Sequence, residues 1–422
     1  MNIKVKKSPY EKVLEVKPAP HKNPSRPSKI LKLLVRILSI TELKNVNFKY
    51  EFIGDKKICK SPCLILMNHS SFLDLKIASK IFKNVDYNVV STTDALVGKE
   101  LLMRKIGCIP TQKFVHDITL VKDIKYAIQK LKTSVLLYPE AGYSLDGANT
   151  PIPEGLGKLV KILKVPVIFV KTYGAFHYDP LYNCLQKRKV NVSCEVSVLS
   201  TKEDALTLST EELSNRIENA FTFDNFKWQK ENGVKITEPF RAKGLERVLY
   251  KCPNCNAEGK TVGEGTTLKC CNCNKTYTLT ELGEMQASDG ITEFSHIPSW
   301  YNWQREEVRK EIENGTYKIE TKVKIMMLVN YKSMYEIGEG TLIHNQNGFY
   351  LEGIGFPLKY NQGVLASYTL NSDYYWYEIG DVISIGNKSG LYYCFPEEKG
   401  IVTKLRLATE ELYKIAKENL KK

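Results

Sequence analysis

The 422-residue sequence lacks any apolar run near the ~18 residues that a membrane-spanning helix needs, which excludes a polytopic membrane protein. We also find no signal-peptide core at the amino end, because the first apolar cluster begins only at Ile30. No internal repeat and no G-x-S-x-G motif occurs, and the missing motif disfavours a hydrolase. With 43% hydrophobic and 26% charged residues the composition is globular, and the length predicts two or three domains.

The net charge of +14 is unevenly distributed along the chain. Residues 1–45 hold nine Lys and two Arg against three Glu, a net charge of +8, and the remaining residues carry only +6. A basic surplus suits nucleic acid, an anionic membrane surface or an acidic carrier protein. Its concentration near the amino end favours the membrane surface, and it makes nucleic acid an unlikely partner.

An amphipathic helix is predicted directly after Ser28, a suitable N-cap, in the segment KILKLLVRILSIT. Lys29, Lys32 and Arg36 fall on one face, and the other face is apolar. Interfacial membrane helices have this pattern, although an ordinary helix packed on its own domain has it too. We therefore interpret residues 1–45 as a basic arm followed by an interfacial helix.

Residues 46–247 alternate short apolar runs with helical patterns, which predicts an α/β domain with a mixed sheet. Five runs read as strands: CLILM, VDYNVVST, SVLLYP, VPVIFVKTYGAF and VNVSCEVSVLS. After residue 319 the pattern changes to about seven short strands, followed by one helix at the end of the chain. The Asn347-Gly348 pair and the stretch Asn387–Gly390 are typical of hairpin turns between such strands. For residues 319–422 this predicts a small β-rich domain of the pleckstrin-homology kind, closed by a helix.

Eleven cysteines, an odd number, do not suggest a secreted disulfide framework. Cys252, Cys255, Cys270 and Cys273 form a C-x2-C…C-x2-C pattern, which predicts a structural zinc ribbon over residues 248–283. Redox pairs and buried free thiols are the alternatives, and Cys271 is an alternative ligand to Cys270. A connecting helix over 284–318 follows.

The sequence Asn68-His69-Ser70-Ser71-Phe72-Leu73-Asp74 follows an apolar strand. On one continuous helix, residues five apart point about 140° away from each other. His69 and Asp74 therefore meet only if His69 lies at the strand end and Asp74 in the next helix. Asp74 would then fix the imidazole tautomer and leave the other nitrogen as a base, whereas a capped helix beside a surface histidine is the alternative.

Together with two later segments, this motif resembles the glycerolipid acyltransferase family, over about residues 45–230. The family pattern N-H-x4-D is matched by Asn68, His69 and Asp74. The pattern F-P-E-G-x-R-S is matched by Tyr138, Pro139, Glu140 and Ser144, V-P-V by residues 165–167, and G-x-I-x-x-x-R by 107–113. Lys113 and Tyr143 stand where the family has arginines that hold the acceptor's phosphate.

The resemblance implies transfer of an acyl group from a thioester, acyl-CoA or acyl-ACP, to the hydroxyl of a lysophospholipid of the lysophosphatidate type. His69 would be the base and Asp74 its orienting partner, with Asn68, Lys113, Glu140, Gly142 and Ser144 in contact with substrate. It also implies a cytoplasmic protein, bound peripherally to the inner face of the membrane. A zinc-ribbon nucleic-acid-binding or regulatory protein without catalysis is the alternative.

Overall fold

The computed structural model describes residues 3–114 and 118–421. Within those ranges, no helix combines the length and the apolar character needed to cross a membrane. The elements fall into an amino-terminal segment, an α/β layer, a cysteine-bearing ribbon and a β-rich carboxyl-terminal part. The predicted fold class is thereby confirmed, whereas the division of the chain at residues 46, 248, 284 and 319 stays a prediction.

The amino-terminal segment contains β1 (Val5–Lys7), α1 (Tyr10–Leu14) and α2 (Lys29–Asn45). Ser28 caps α2 as predicted, because its Oγ accepts a hydrogen bond from the backbone N–H of Leu31 at 3.5 Å. The first part of the predicted basic arm packs onto the far end of the chain: β1 pairs in parallel with residues 334–336, and Tyr10 and Val13 are buried. Residues 21–26 instead bond to the α/β layer, for example through His21 and Asp123 at 2.9 Å.

Seven strands form the mixed sheet of the α/β layer, in the order β2-β8-β7-β3-β6-β4-β5. The strands are β2 (Lys49–Ile53), β3 (Leu64–Met67), β4 (Tyr87–Thr92), β5 (Cys108–Thr111), β6 (Ser134–Leu137), β7 (Val167–Tyr173) and β8 (Ser193–Ser200). The helices are α3 (Asp74–Ile81), α4 (Glu100–Ile106), α5 (Ile118–Tyr126), α6 (Leu156–Leu163), α7 (Ala175–Tyr178), α8 (Lys202–Thr207), α9 (Thr210–Phe221) and α10 (Asn225–Glu231).

The central strand β3 is buried on both faces, as a continuous apolar run predicts. Leu64 and Leu66 lie in one apolar cluster and Ile65 and Met67 in another, on opposite sides of the sheet. Among the strand pairs of this seven-stranded sheet in the described residues, β7 and β8 form the only antiparallel pair. The sequence analysis missed β2 and β5; β5 contains Pro110, which an edge strand tolerates because one side of its backbone needs no partner.

The ribbon is a four-stranded antiparallel sheet of β9 (Thr261–Glu264), β10 (Thr267–Cys270), β11 (Thr276–Leu279) and β12 (Met285–Ala287). Helix α11 (Ile297–Glu313) packs against it through Trp300, which is fully buried. The indole of Trp300 donates a hydrogen bond to the carbonyl of Lys251 at 2.9 Å, and its ring lies 4.9 Å from that of Tyr277. The ribbon and α11 therefore share one core.

The carboxyl-terminal part is an antiparallel meander of seven strands followed by a helix, as predicted. Its elements are β13 (Ile319–Leu328), β14 (Met334–Asn345), β15 (Gly348–Gly353), β16 (Lys359–Gln362), β17 (Asn371–Trp376), β18 (Gly380–Asn387), β19 (Gly390–Pro396) and α12 (Ile401–Lys421). The first strand, β13, pairs with the last, β19. Turns at the predicted Asn347-Gly348 and Asn387–Gly390 positions connect β14 to β15 and β18 to β19.

A buried ion network joins α11 to α12. Glu410 is 1% exposed and binds Arg305 at 2.6 Å and Arg406 at 3.1 Å, and the hydroxyl of Thr369 donates to it. Burial alone would raise the pKa of Glu410, but the two guanidinium groups reverse the effect and lower this pKa to about 2. The carboxylate therefore stays ionised wherever the protein is folded at ordinary pH.

We expect Glu410→Gln to lower the free energy of unfolding by about 3–5 kcal/mol, because it removes one member of a buried, paired charge set. The matched control is Glu418→Gln, whose half-exposed carboxylate pairs with Arg309 and which should cost less than about 1 kcal/mol. Urea unfolding at neutral pH measures both. Since the folded pKa is depressed, the difference between wild type and Glu410→Gln should shrink as the pH falls below 4.5 towards 2. Equal losses in both variants would contradict the network's role.

Candidate active site

His69 and Asp74 meet at the carboxyl end of β3. His69 lies two residues beyond the last residue of this strand, and Asp74 is the first residue of α3. The distance from His69 Nδ1 to Asp74 Oδ2 is 2.8 Å. The structure thus brings the two side chains together across a strand-to-helix turn, which is the arrangement that their spacing requires.

Asp74 is buried and accepts hydrogen bonds from the turn that follows His69. It is 1% exposed, and its Oδ2 also accepts hydrogen bonds from the backbone N–H groups of Ser70 at 2.9 Å and Ser71 at 3.2 Å. These donors and the amino end of α3 both favour negative charge on the carboxylate. An ionised Asp74 orients the proton of His69 onto Nδ1 and leaves Nε2 with a free lone pair.

Aromatic rings fix the plane of the imidazole. The ring of His69 lies 4.3 Å from that of Tyr138 and 4.0 Å from that of Tyr143, and Phe72 stacks on Tyr143 at 5.2 Å. The side chain of His69 remains 20% exposed. The imidazole is therefore restrained by packing and by Asp74 while part of it faces outward.

The loop after β6 holds the backbone of His69 from both sides. Glu140 Oε2 accepts a hydrogen bond from the N–H of His69 at 2.6 Å, and the N–H of Ser144 donates to the carbonyl of His69 at 3.2 Å. The other oxygen of Glu140 accepts from the N–H of Thr150 at 3.2 Å. Burial raises the pKa of Glu140 to about 7, although these hydrogen bonds oppose the rise. Sequence reasoning missed this positioning role.

Two other predicted contact residues also bond to the protein. Asn68 Oδ1 accepts from the N–H of Thr172 at 2.8 Å, which joins the end of β3 to β7. The hydroxyl of Ser144 donates to the carbonyl of Ala148 at 2.6 Å. Gly142 lies in the loop, where an added Cβ would meet only the carbonyl of Glu140 at 4.0 Å. Contact of Asn68, Glu140, Gly142 or Ser144 with a substrate stays a prediction.

Lys113 lies just beyond β5, where the carboxyl-terminal sheet approaches the α/β layer. Its neighbour Phe114 packs on Tyr368 at 5.5 Å between ring centres. Burial raises the pKa of Asp373, in β17, to about 6, and the positive charge of Lys113 opposes the rise. One oxygen of Asp373 is buried without a hydrogen-bond partner among the described residues. Lys113 therefore lies within electrostatic reach of a carboxylate from outside the α/β layer.

Four thiols of the ribbon converge on one point. The sulfurs of Cys252, Cys255, Cys270 and Cys273 all lie within 4.8 Å of one another, with 3.8 Å between Cys252 and Cys273 and 3.7 Å between Cys255 and Cys270. A tetrahedral zinc site with Zn–S bonds of about 2.3 Å has S···S edges of about 3.8 Å. Cys271 is exposed and outside the group, so Cys270 is the geometrically suitable member of that pair.

The sequence model of the family described as Acyltransferase matches residues 46–171. The chain carries an acyltransferase-family domain. The match runs from the start of the α/β layer into β7, and it includes His69, Asp74, Lys113 and Glu140. Residues 172–422, with the ribbon and the carboxyl-terminal sheet, lie outside the matched part of the chain.

One solved structure similar to this chain is the 1-acyl-sn-glycerophosphate (LPA) acyltransferase PlsC from Thermotoga maritima. The sequence identity is 16% and the TM-score is 0.37, and the alignment covers 46% of this chain and 77% of that one. No curated protein matches the sequence.

Proposed function

We propose that the chain transfers a fatty acyl group from a thioester donor to the hydroxyl of a lysophospholipid of the lysophosphatidate type. The observation that carries the proposal is the His69–Asp74 pair at the carboxyl end of the central strand, inside the acyltransferase-family domain. A restrained imidazole with one nitrogen bound to a buried carboxylate is suited to general base catalysis.

In the proposed reaction the acceptor hydroxyl attacks the thioester carbonyl while His69 Nε2 takes its proton. The resulting imidazolium is stabilised by Asp74. Collapse of the tetrahedral intermediate breaks the carbon–sulfur bond, and the leaving thiolate receives the proton from His69. Backbone N–H groups of the loop around Gly142 would stabilise the oxyanion. No acyl-enzyme is required, and Cys63, in the predicted strand CLILM, is a fully buried packing residue.

Lys113 is our candidate for the acceptor's phosphate, because a lysine binds phosphate as a point charge. Tyr143, at the second position, contributes ring surface against His69 instead of a guanidinium. With a tyrosine at this position, the site would select less strictly for acceptors that carry a phosphomonoester than a site with two arginines would.

The acyl donor in this proposal is either acyl-CoA or acyl-ACP.

We further propose that α2 lies in an anionic membrane surface. Its side chains Ile30, Ile37 and Leu38 are 79%, 52% and 69% exposed, which is unusual for clustered large apolar residues. Helix α2 packs on α3, the helix that begins at Asp74. The half-exposed Phe72, which stacks on Tyr143, would extend this apolar surface to the site.

Replacing His69 by Ala should lower the rate of acyl transfer at least about 100-fold, because the proposed base is lost. Asp74→Asn should lower this rate by about 10²- to 10⁴-fold, because the carboxylate that sets the tautomer of His69 is lost. Thioester cleavage, followed as thiol release across a panel of lysolipids and glycerol 3-phosphate, measures the rate. His21→Ala is the matched control. His21 also pairs with an aspartate, because its Nε2 lies 2.9 Å from Oδ1 of Asp123, but this pair is not part of the proposed site. Wild-type turnover in a folded His69→Ala protein would refute the mechanism.

Leu38→Glu should weaken binding to anionic vesicles by at least about tenfold, because burial of a leucine in an apolar phase contributes roughly 1.5–3 kcal/mol. Ile291→Glu is matched in exposure, at 70% against 69%, and lies beyond the ribbon. Vesicle co-sedimentation compares the two variants. Equal partitioning of Leu38→Glu and wild type would reject the interfacial role of α2.

We propose that the four thiols hold one structural zinc ion, which a closed four-sulfur shell would coordinate without an open position. Elemental analysis should give about one zinc per chain for wild type and Cys271→Ser, and a loss of zinc for Cys255→Ser. The zinc-free protein should melt at a lower temperature, since metal binding contributes to folding. Full zinc content in Cys255→Ser would overturn the ligand assignment.

A further inference from the structure

A cleft of about 540 Å³ lies between α2 and the α/β layer. Its walls come from one face of α2 and from the residues just before β3, β4 and β6. These are the amino ends of three parallel strands, whereas His69 follows the carboxyl end of β3. Four residues of strand separate the two ends by about 13 Å. The cleft is therefore distinct from the catalytic end of the sheet.

Six cationic side chains line the cleft: Lys29, Lys32, Arg36, Lys60, Lys83 and Lys132. The single carboxylate among the lining residues is Asp86, and Lys32 binds it at 2.7 Å. None of the other five cations forms a hydrogen bond or ion pair with any residue in the described part of the chain. With six cations and one carboxylate, the cleft concentrates a net charge of about +5, which attracts anions.

The interior surface of the cleft is apolar as well as basic. Its apolar lining residues are Leu33 and Val35 of α2, Leu75 of α3, Phe82 just beyond α3, and Ile106 of α4. A lining that is both basic and apolar matches a ligand that carries phosphate at one end and hydrocarbon at the other. A nucleic acid or a simple inorganic anion would make no use of the apolar lining.

The cleft shares α2 with the exposed apolar surface. Lys29, Lys32 and Arg36 line the cleft, and Ile30, Ile37 and Leu38 are exposed and do not line it. If the apolar side of α2 lies among acyl chains, its basic residues lie at the level of the phosphate groups. The mouth of the cleft would then open where the headgroups of membrane lipids are.

We propose that this cleft binds the phosphate headgroup of an anionic phospholipid of the bilayer, as a site separate from that of the reacting acceptor. The acceptor's own phosphate is only a few bonds from its hydroxyl, so a molecule that reacts at His69 does not reach across the sheet. The bound lipid instead anchors α2 and α3 in a fixed position against the bilayer. The proposal extends the proposed function and does not depend on catalysis.

Lysine footprinting with acetic anhydride tests the site directly on the full chain. The probes are vesicles of equal parts phosphatidylcholine and phosphatidylglycerol, vesicles of phosphatidylcholine alone, inorganic phosphate and coenzyme A. We expect anionic vesicles to protect Lys60, Lys83 and Lys132 from acetylation, and phosphatidylcholine vesicles to protect them much less. Protection by inorganic phosphate or coenzyme A equal to that by anionic vesicles would overturn the lipid assignment, because the phosphate would then come from a free ligand.

The variant Lys83→Gln/Lys132→Gln tests the contribution to binding. Each lysine near an anionic surface contributes about fivefold, so the double variant should bind anionic vesicles about 25-fold more weakly. The control Lys158→Gln/Lys202→Gln removes the same charge from α6 and α8, which pack on the other face of the sheet, and should change binding little. Equal losses in the two variants would overturn the proposal in favour of diffuse attraction.

Activity separates this inference from the proposed function. With acceptor dispersed in neutral detergent, Lys83→Gln/Lys132→Gln should transfer acyl groups at the wild-type rate, whereas on anionic vesicles its rate should fall with its binding. Inactivity of the wild type in both settings would refute the acyltransferase proposal. The protection of Lys60, Lys83 and Lys132 from acetylation would then decide the lipid-binding proposal by itself. A variant that loses activity in detergent would overturn the claim that the cleft is separate from the catalytic end.

Discussion

The arrangement of the site depends on the hydrogen bonds that hold the backbone of His69. Its N–H donates to the buried Glu140 and its carbonyl accepts from Ser144, so one loop fixes both sides of one peptide segment. Asp74 and two tyrosine rings then fix the imidazole itself. A general base works only if its nitrogen is within hydrogen-bond reach of the attacking hydroxyl. Glu140 is buried, and the hydrogen bonds that it accepts from the N–H groups of His69 and Thr150 offset part of its desolvation while they hold the backbone of the proposed base.

The parts outside the family match are joined to the α/β layer through specific contacts. The indole of Trp376, in β17, donates a hydrogen bond to Asp94 at 3.3 Å, and the ring of Phe114 packs on that of Tyr368 at 5.5 Å. Strand β1, near the amino end of the chain, pairs in parallel with β14 and adds a further contact with the carboxyl-terminal sheet. Movement of the carboxyl-terminal sheet would therefore be transmitted to the segment around Lys113, and the ribbon stabilises that sheet through their common core.

Local patterns in the sequence predicted a large part of this structure. The five apolar runs, the Ser28 cap, the two carboxyl-terminal turns and the meeting of His69 with Asp74 all depend on residues close in sequence. Glu140 accepting from the N–H of His69 depends on a loop 71 residues away, and β1 pairs with a strand more than 300 residues later. Such contacts follow from how elements pack, and no periodicity or spacing encodes them.

Charge and apolar surface are combined on α2 in a way that composition alone does not reveal. The basic excess near the amino end is divided between the packed segment before α2 and the side of α2 that lines the cleft, and the opposite side is exposed and apolar. A helix of this kind is stable in water only because part of it packs on α3. The same contact connects α2 to α3, whose first residue is Asp74. If α2 binds a membrane as we propose, the orientation of His69 would depend on how α2 is seated there.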